Sequence, residues 1–150
     1  MSSQRYLLDT NILIHFVRAS RVWTQIRSRY QLLATDPKPL ISIVSAGELR
    51  SFAYLHGWGN AKRSQMEFIL GYFDEVPLDS DTLVEAYAVI DSHLQSRGRA
   101  LGKNDLWIAA TVQTMGATLL TTDEDFDPIS PRFIARDWIN PDAPANPQAN

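Results

Sequence analysis

Short apolar runs alternate along this chain with longer segments whose apolar positions recur every three or four residues. Residues 6–9, 40–44, 75–78 and 117–122 read as strands, with 133–135 as a candidate fifth. The segments between them read as helices. One begins at Thr10-Asn11 and carries Ile12, Leu13 and Phe16 on its apolar side. The next covers 21–34, where Val22, Ile26 and Tyr30 recur at helical spacing. Ser45-Ala46-Gly47-Glu48 has the spacing of a capping box and opens a third helix, which stops near Gly57-Trp58-Gly59. A fourth covers 61–72. Thr82-Leu83-Val84-Glu85 signals a fifth, with Leu83, Tyr87, Ile90 and Leu94 on one face. The last starts at Asn104 or Asp105, is apolar nearly all round and therefore buried, and ends at Gly116.

Strands that alternate with helices imply an α/β fold. Its central sheet should be mostly parallel, with four to five strands flanked by helices and joined by right-handed connections. Asp36-Pro37-Lys38-Pro39 is a turn, and Pro77 suits an edge strand or a strand end. Residues 1–138 read as one domain. Residues 139–150 contain three prolines and no apolar period, so they are expected to form a disordered tail.

Composition changes this picture only by exclusion. Hydrophobic residues make up 45% and charged residues 21% of 150, which is ordinary for a globular protein. There is no cysteine, which removes disulfides and thiolate metal sites. The three histidines, His15, His56 and His93, are scattered and form no zinc motif. The expected location is the cytoplasm: no secretory leader is legible at the start, and no segment has the length and apolarity of a membrane span. A net charge of −3 and a pI near 5.5 argue against a sequence-independent DNA coat, which needs a basic field. They leave nucleic acid open as a substrate, since a local basic loop can bind phosphate in an acidic protein.

The candidate chemistry lies in four acids, Asp9, Glu48, Asp105 and Asp123, each read as sitting where a strand hands over to a helix. In an open parallel sheet the carboxyl ends of the strands line one crevice, where ligands bind. Four carboxylates gathered there repel one another unless a cation joins them, and hard oxygen ligands without sulfur select Mg²⁺ or Mn²⁺. Each acid also has a plainer role. Asp9, Asp105 and Asp123 can cap or stabilise helix starts, and Glu48 can close the capping box with Ser45. Asn11 and Thr122 are polar neighbours able to orient carboxylates, and Asp125 is an accessory acid beside Asp123. Arg97, Arg99 and Lys103 precede Asp105 in a glycine-punctuated basic loop, and Arg99 and Lys103 are the candidates for substrate phosphates. Among the tryptophans, Trp58, set between two glycines, is the best candidate for exposure.

Four segments carry a resemblance: Leu7-Leu8-Asp9-Thr10-Asn11, Ser45-Ala46-Gly47-Glu48-Leu49, Gly102-Lys103-Asn104-Asp105-Leu106-Trp107, and Leu120-Thr121-Thr122-Asp123-Glu124-Asp125-Phe126. In this order the chain resembles the PIN domain family, and within it the VapC-type toxins of bacterial toxin–antitoxin pairs. The resemblance implies a PIN-like α/β/α sandwich and an endoribonuclease that uses Mg²⁺ or Mn²⁺. It places the metal ligands on Asp9, Glu48, Asp105 and Asp123, an accessory polar group on Asn11, and a hydroxyl on Thr121 or Thr122. It further implies a homodimer, an RNA substrate and a cognate antitoxin protein. Two rival readings are a phosphoacceptor signalling domain and a catalytically inactive PIN module that binds RNA or protein. The first rival usually has adjacent acids after its first strand, whereas Asp9 is followed by Thr10-Asn11.

Overall fold

A computed structural model describes residues 4–143 of the chain. Five strands, β1 (Tyr6–Leu8), β2 (Leu40–Ser42), β3 (Asp74–Val76), β4 (Thr118–Thr121) and β5 (Ala135–Trp138), form one sheet. Their spatial order is β3-β2-β1-β4-β5, and every neighbouring pair is parallel. The helices are α1 (Thr10–Val17), α2 (Arg21–Tyr30), α3 (Ile43–Leu55), α4 (Asn60–Tyr72), α5 (Asp81–Ser96) and α6 (Lys103–Met115). A 3-10 helix, Glu124–Ile129, links β4 to β5.

The two-residue period of the strands divides the core into two layers. Leu8, Ile41 and Leu120 pack with Leu13, Ile26, Leu49 and Leu70 on the side of α1 to α4. Their strand neighbours Leu7, Leu40 and Leu119 pack with Ile90, Leu94, Leu106 and Phe126 on the side of α5, α6 and the 3-10 helix. The three central strands are buried on both faces, so their residues run apolar without alternation, as a covered parallel sheet requires. Leu7 pairs with Leu40 on one side and Leu119 on the other, and Leu8 pairs with Leu120. This register brings the ends of β1 and β4 together, and the candidate site depends on that.

Several boundaries differ from the sequence reading. β2 stops at Ser42, because the Ser42 side chain accepts the Val44 N–H and starts α3 three residues early. The Ser45–Glu48 capping box therefore does not form, and Glu48 lies in the second turn of the helix. Ser80, rather than Thr82, caps α5 by accepting the Leu83 N–H. α2 ends at Tyr30, where Gln31 turns left-handed (φ 54°). The fifth strand begins at Ala135 because the N–H groups of Phe133 and Ile134 are both turned back onto the Ile129 carbonyl. Pro77 falls just past β3, which is an edge strand. Gly116 ends α6 as read, left-handed at φ 61°. The residue after β5, Ile139, donates its N–H to the Thr121 carbonyl (2.8 Å) and packs on the core. The rest of the expected tail, from 144 onward, lies outside the described residues.

Phe126 is fully buried and pins the 3-10 helix to the sheet. Phe126→Ala should cost about 3–5 kcal/mol of unfolding free energy. Phe68, 82% exposed on α4, should tolerate alanine within about 0.5 kcal/mol. Urea unfolding of both variants checks the pair.

Candidate active site

The parallel pairing of Leu8 with Leu120 makes Asp9 and Thr121 neighbours at the carboxyl edge of the sheet. Asp9 is only 4% exposed. Its Oδ1 accepts the Thr10 N–H (2.8 Å) and so caps α1. Its Oδ2 accepts the Thr121 hydroxyl (2.7 Å) and, more weakly, Asn11 Nδ2 (3.3 Å). Thr121 Oγ1 in turn accepts the Asp123 N–H (2.9 Å), and Asp123 Oδ1 accepts the Asp125 N–H (2.8 Å) to cap the 3-10 helix. Capping and site-building are thus one arrangement at Asp9 and Asp123: each carboxylate holds a helix start with one oxygen.

Glu48 arrives from α3. Thr10 Oγ1 lies 2.8 Å from Glu48 Oε1 and 2.9 Å from Ser45 Oγ. Its single proton goes to the carboxylate, which can only accept, and the Ser45 hydroxyl completes the chain. Asp105 arrives from the opposite layer in the first turn of α6. It follows no strand, contrary to the sequence reading: α5 and the loop after it precede it. Packing of Leu49 in one core and Leu106 in the other fixes the neighbouring acids, Glu48 and Asp105, at the same edge.

The electrostatics record this gathering. Burial pushes Asp9 up to about 6 against the hydrogen bonds from Thr121 and Thr10, and the Glu48 and Asp123 charges add to the rise. Burial pushes Asp105 up to about 7, with further contributions from Asp9, Asp123, Glu48 and Asp125 in that order. Asp9 thus feels the charges of Glu48 and Asp123, and Asp105 feels those of all the other predicted acids and of Asp125. One carboxylate oxygen from each of Asp105, Asp123 and Asp125 lies within 4.8 Å of the other two. An all-oxygen set at this spacing suits a hard divalent cation. Asp125, read from sequence as accessory, stands in the tightest group.

Of the remaining predicted residues, Asn11 spans the site: its Nδ2 reaches Asp9 and its Oδ1 accepts the Thr122 N–H (3.2 Å). Thr122 contributes only backbone, its carbonyl accepting from Trp138 Nε1 (3.0 Å). The hydroxyl at the site belongs to Thr121, because the strand register turns that side chain toward Asp9. Lys103 is exposed at the start of α6, two residues before Asp105, whereas Arg99 lines a separate cleft beyond the loop. Thr10 and Ser45 were missed. Both sit where a hydroxyl ordinarily marks a helix start, and only the approach of α1 to α3 reveals their contact. Trp58 packs partly buried on the core with Lys62 over its ring (4.2 Å). Trp138 instead joins Asn11, Asp123, Asp125 and Asn140 around an open groove of about 580 Å³ beside the acids.

Comparison with known proteins gives the family and the fold. The family model for the PIN domain matches residues 6–130. The chain belongs to the PIN domain family. Ribonuclease VapC4 of Mycobacterium tuberculosis is 30% identical over 129 residues, covering 84% of this chain and 92% of the relative. Ribonuclease VapC1 of Haemophilus influenzae is 28% identical over 117 residues, covering 77% and 84%. Among solved structures, VapBC2 from Rickettsia felis, bound to a DNA fragment from its promoter, superposes with a TM-score of 0.76 at 21% identity, covering 89% of this chain and 98% of the other. VapBC-1 from nontypeable Haemophilus influenzae gives 0.73 at 24%, covering 90% and 98%. These likenesses establish the α/β/α sandwich with its parallel sheet.

The raised carboxyls set a pH dependence. Asp9 and Asp105 titrate in the folded state near 6 and 7, above their ordinary 3.8. The folded state therefore holds extra protons, and this contribution to stability, complete below about pH 4, is lost as pH rises through about 6 to 7. The melting temperature of metal-free protein should fall from about pH 5 to about pH 8, and added Mg²⁺ or Mn²⁺ should raise it more at the higher pH. A melting temperature insensitive to both would contradict the clustered charge.

Proposed function

We propose that this chain is a metal-dependent endoribonuclease and the toxin of a toxin–antitoxin pair. The observation that carries the reading is the assembly of Asp9, Glu48, Asp105 and Asp123, with Asp125, at the carboxyl edge of a parallel sheet. Asp9 and Asp105 are raised toward neutrality there, in a PIN-family chain whose relatives are named ribonucleases. Mg²⁺ or Mn²⁺ fits the donor set: the oxygens of Asp105, Asp123 and Asp125 are close enough to share an ion, and Asp9 and Glu48, whose charges act on Asp105, complete the proposed holders. When bound, the ion supplies Lewis-acid charge for a phosphoryl oxygen and lowers the pKa of water.

The chain's own residues supply position. Thr121 and Thr10 hold the Asp9 carboxylate between two donors, and Thr10 also orients Glu48, so neither acid has to be ordered during reaction. Asn11 locks the end of β4 to α1 and keeps Asp123 in register with Asp9. Lys103, exposed two residues before Asp105, is the candidate cation for a substrate phosphate. Trp138 offers an exposed ring along the groove on which a base can stack. A protein partner is supported by Tyr54, Leu55 and Phe68, which stand 72–82% exposed on α3 and α4. A cognate antitoxin protein as that partner, a homodimer and a cytoplasmic location complete the proposal; no helix among the described residues is long and apolar enough to cross a membrane.

Purified protein should cut RNA in Mg²⁺ or Mn²⁺ and not in chelator. Asp105→Asn should slow the cut by at least about 100-fold, the scale for removing one electrostatic group from a reaction centre. Products should end in 5′-phosphate and 3′-hydroxyl, because water rather than the ribose 2′-hydroxyl attacks. Cyclic phosphate ends, or full activity in chelator, would overturn the assignment.

A further inference from the structure

Beyond the acids lies a cleft of opposite sign. His93, Arg97, Arg99 and Arg132 line it, with Leu94 and Pro128 as its floor, and its volume is about 340 Å³. The chain as a whole is acidic, at −3, yet no carboxylate lines this cleft. Among the described residues none of its three guanidiniums makes a salt bridge. Asp127, the acid next to Pro128, is bound to Arg136 instead. The lining is held in place: Arg132 lies over the Phe133 ring (5.3 Å), and the His93 imidazole meets the same ring edge-on (4.9 Å). Arg99 is anchored through its backbone N–H to the Leu94 carbonyl (2.9 Å). Like charges gathered without a counter-charge mark a place for a polyanion.

The cleft is joined to the acids by two short pieces of chain. The loop from Arg99 reaches the first turn of α6, with Lys103 and then Asp105. The 3-10 helix starts at the Asp123 cap and carries Pro128 near its far end. At about 2 Å of rise per residue, five residues of such a helix span about 10 Å. Lys103, exposed, lies between Arg99 and Asp105 along this stretch of chain.

We infer that the His93–Arg97–Arg99–Arg132 cleft binds the phosphodiester backbone of the RNA strand on one side of the bond to be cut. The inference rests on the nuclease reading of the neighbouring acids and adds to it a second anchoring site, which serves strand length rather than chemistry. Backbone phosphates bound by arginine carry no base information, so this site contributes affinity and register and leaves sequence choice to the groove beside Trp138.

The test is binding of a fluorescein-labelled single-stranded RNA to the full chain in chelator, which keeps the strand uncut, at several salt concentrations. Arg97→Ala/Arg132→Ala is compared with Arg27→Ala/Arg29→Ala, which removes the same charge from α2. All four side chains are exposed, so melting curves should coincide with that of the wild type. The cleft pair should weaken binding about tenfold or more and reduce the slope of log K against log salt by about 1.4, two single-strand contacts' worth, while the α2 pair changes either far less. Equal losses in the two pairs, or no measurable binding by wild-type protein, would overturn the cleft. A parallel cleavage reaction with Mg²⁺ judges the nuclease reading separately: no metal-dependent cut counts against that reading, while the binding comparison still decides the cleft.

Discussion

A single buried carboxylate, Asp9, ties the sheet, the first helix and the candidate site together. It is withdrawn from water and yet accepts from Thr10, Thr121 and Asn11. The bonds from Thr121 and Thr10 offset part of the desolvation that pushes its titration upward. Because one donor is the backbone of α1 and another is a side chain from β4, the bond network forms only when β1 and β4 pair in their observed register. A slip of one residue would turn Leu7 and Leu8 to the wrong layers and would also remove Thr121 from Asp9. The hydrophobic pattern and the site geometry therefore enforce the same register.

The other acids are brought in by packing. Glu48 precedes Leu49, which is buried in the layer of α1 to α4, and Asp105 precedes Leu106, which is buried in the layer of α5 and α6. Two cores on opposite faces of one sheet thus deliver like charges to one edge. Burial is the first cause of the raised titration of Asp105, and repulsion from Asp9, Asp123, Glu48 and Asp125 adds to it. Folding energy from the cores sustains this local strain, and a divalent cation relieves it.

Charge is divided along the 3-10 helix. Its start, capped by Asp123, belongs to the acidic site, and its end borders the basic cleft of Arg97, Arg99 and Arg132. Phe126, buried between the two, holds this helix against α5 and α6. A net charge of −3 conceals the division, since opposite fields at neighbouring places cancel in a total. For the proposed nuclease the arrangement is coherent: the acids would hold the ion where phosphate is attacked, and the cations would hold the phosphates that are not.

Much of this was legible from residue order alone. Apolar runs alternating with helical periods specify a parallel α/β sheet, because only strands covered on both faces can dispense with polar alternation. Asp9, Asp105 and Asp123 announce themselves by standing at helix starts, where acids are favoured for local reasons that also apply in the folded protein. Boundaries were less legible where two capping residues compete: Ser42 outcompetes Ser45, and Ser80 outcompetes Thr82. Which neighbouring hydroxyl faces Asp9, Thr121 or Thr122, is decided by the turn of a strand within a sheet. That Thr10 reaches both Glu48 and Ser45, that Asp125 joins the tightest group of acids, and that Arg99 leaves them for His93 and Arg132 depend on how separate elements approach in space. Periodicity and capping act between residues a few places apart, so sequence determines the elements and nominates the acids. Contacts between residues tens of places apart are set by register and packing, and only the tertiary structure decides those.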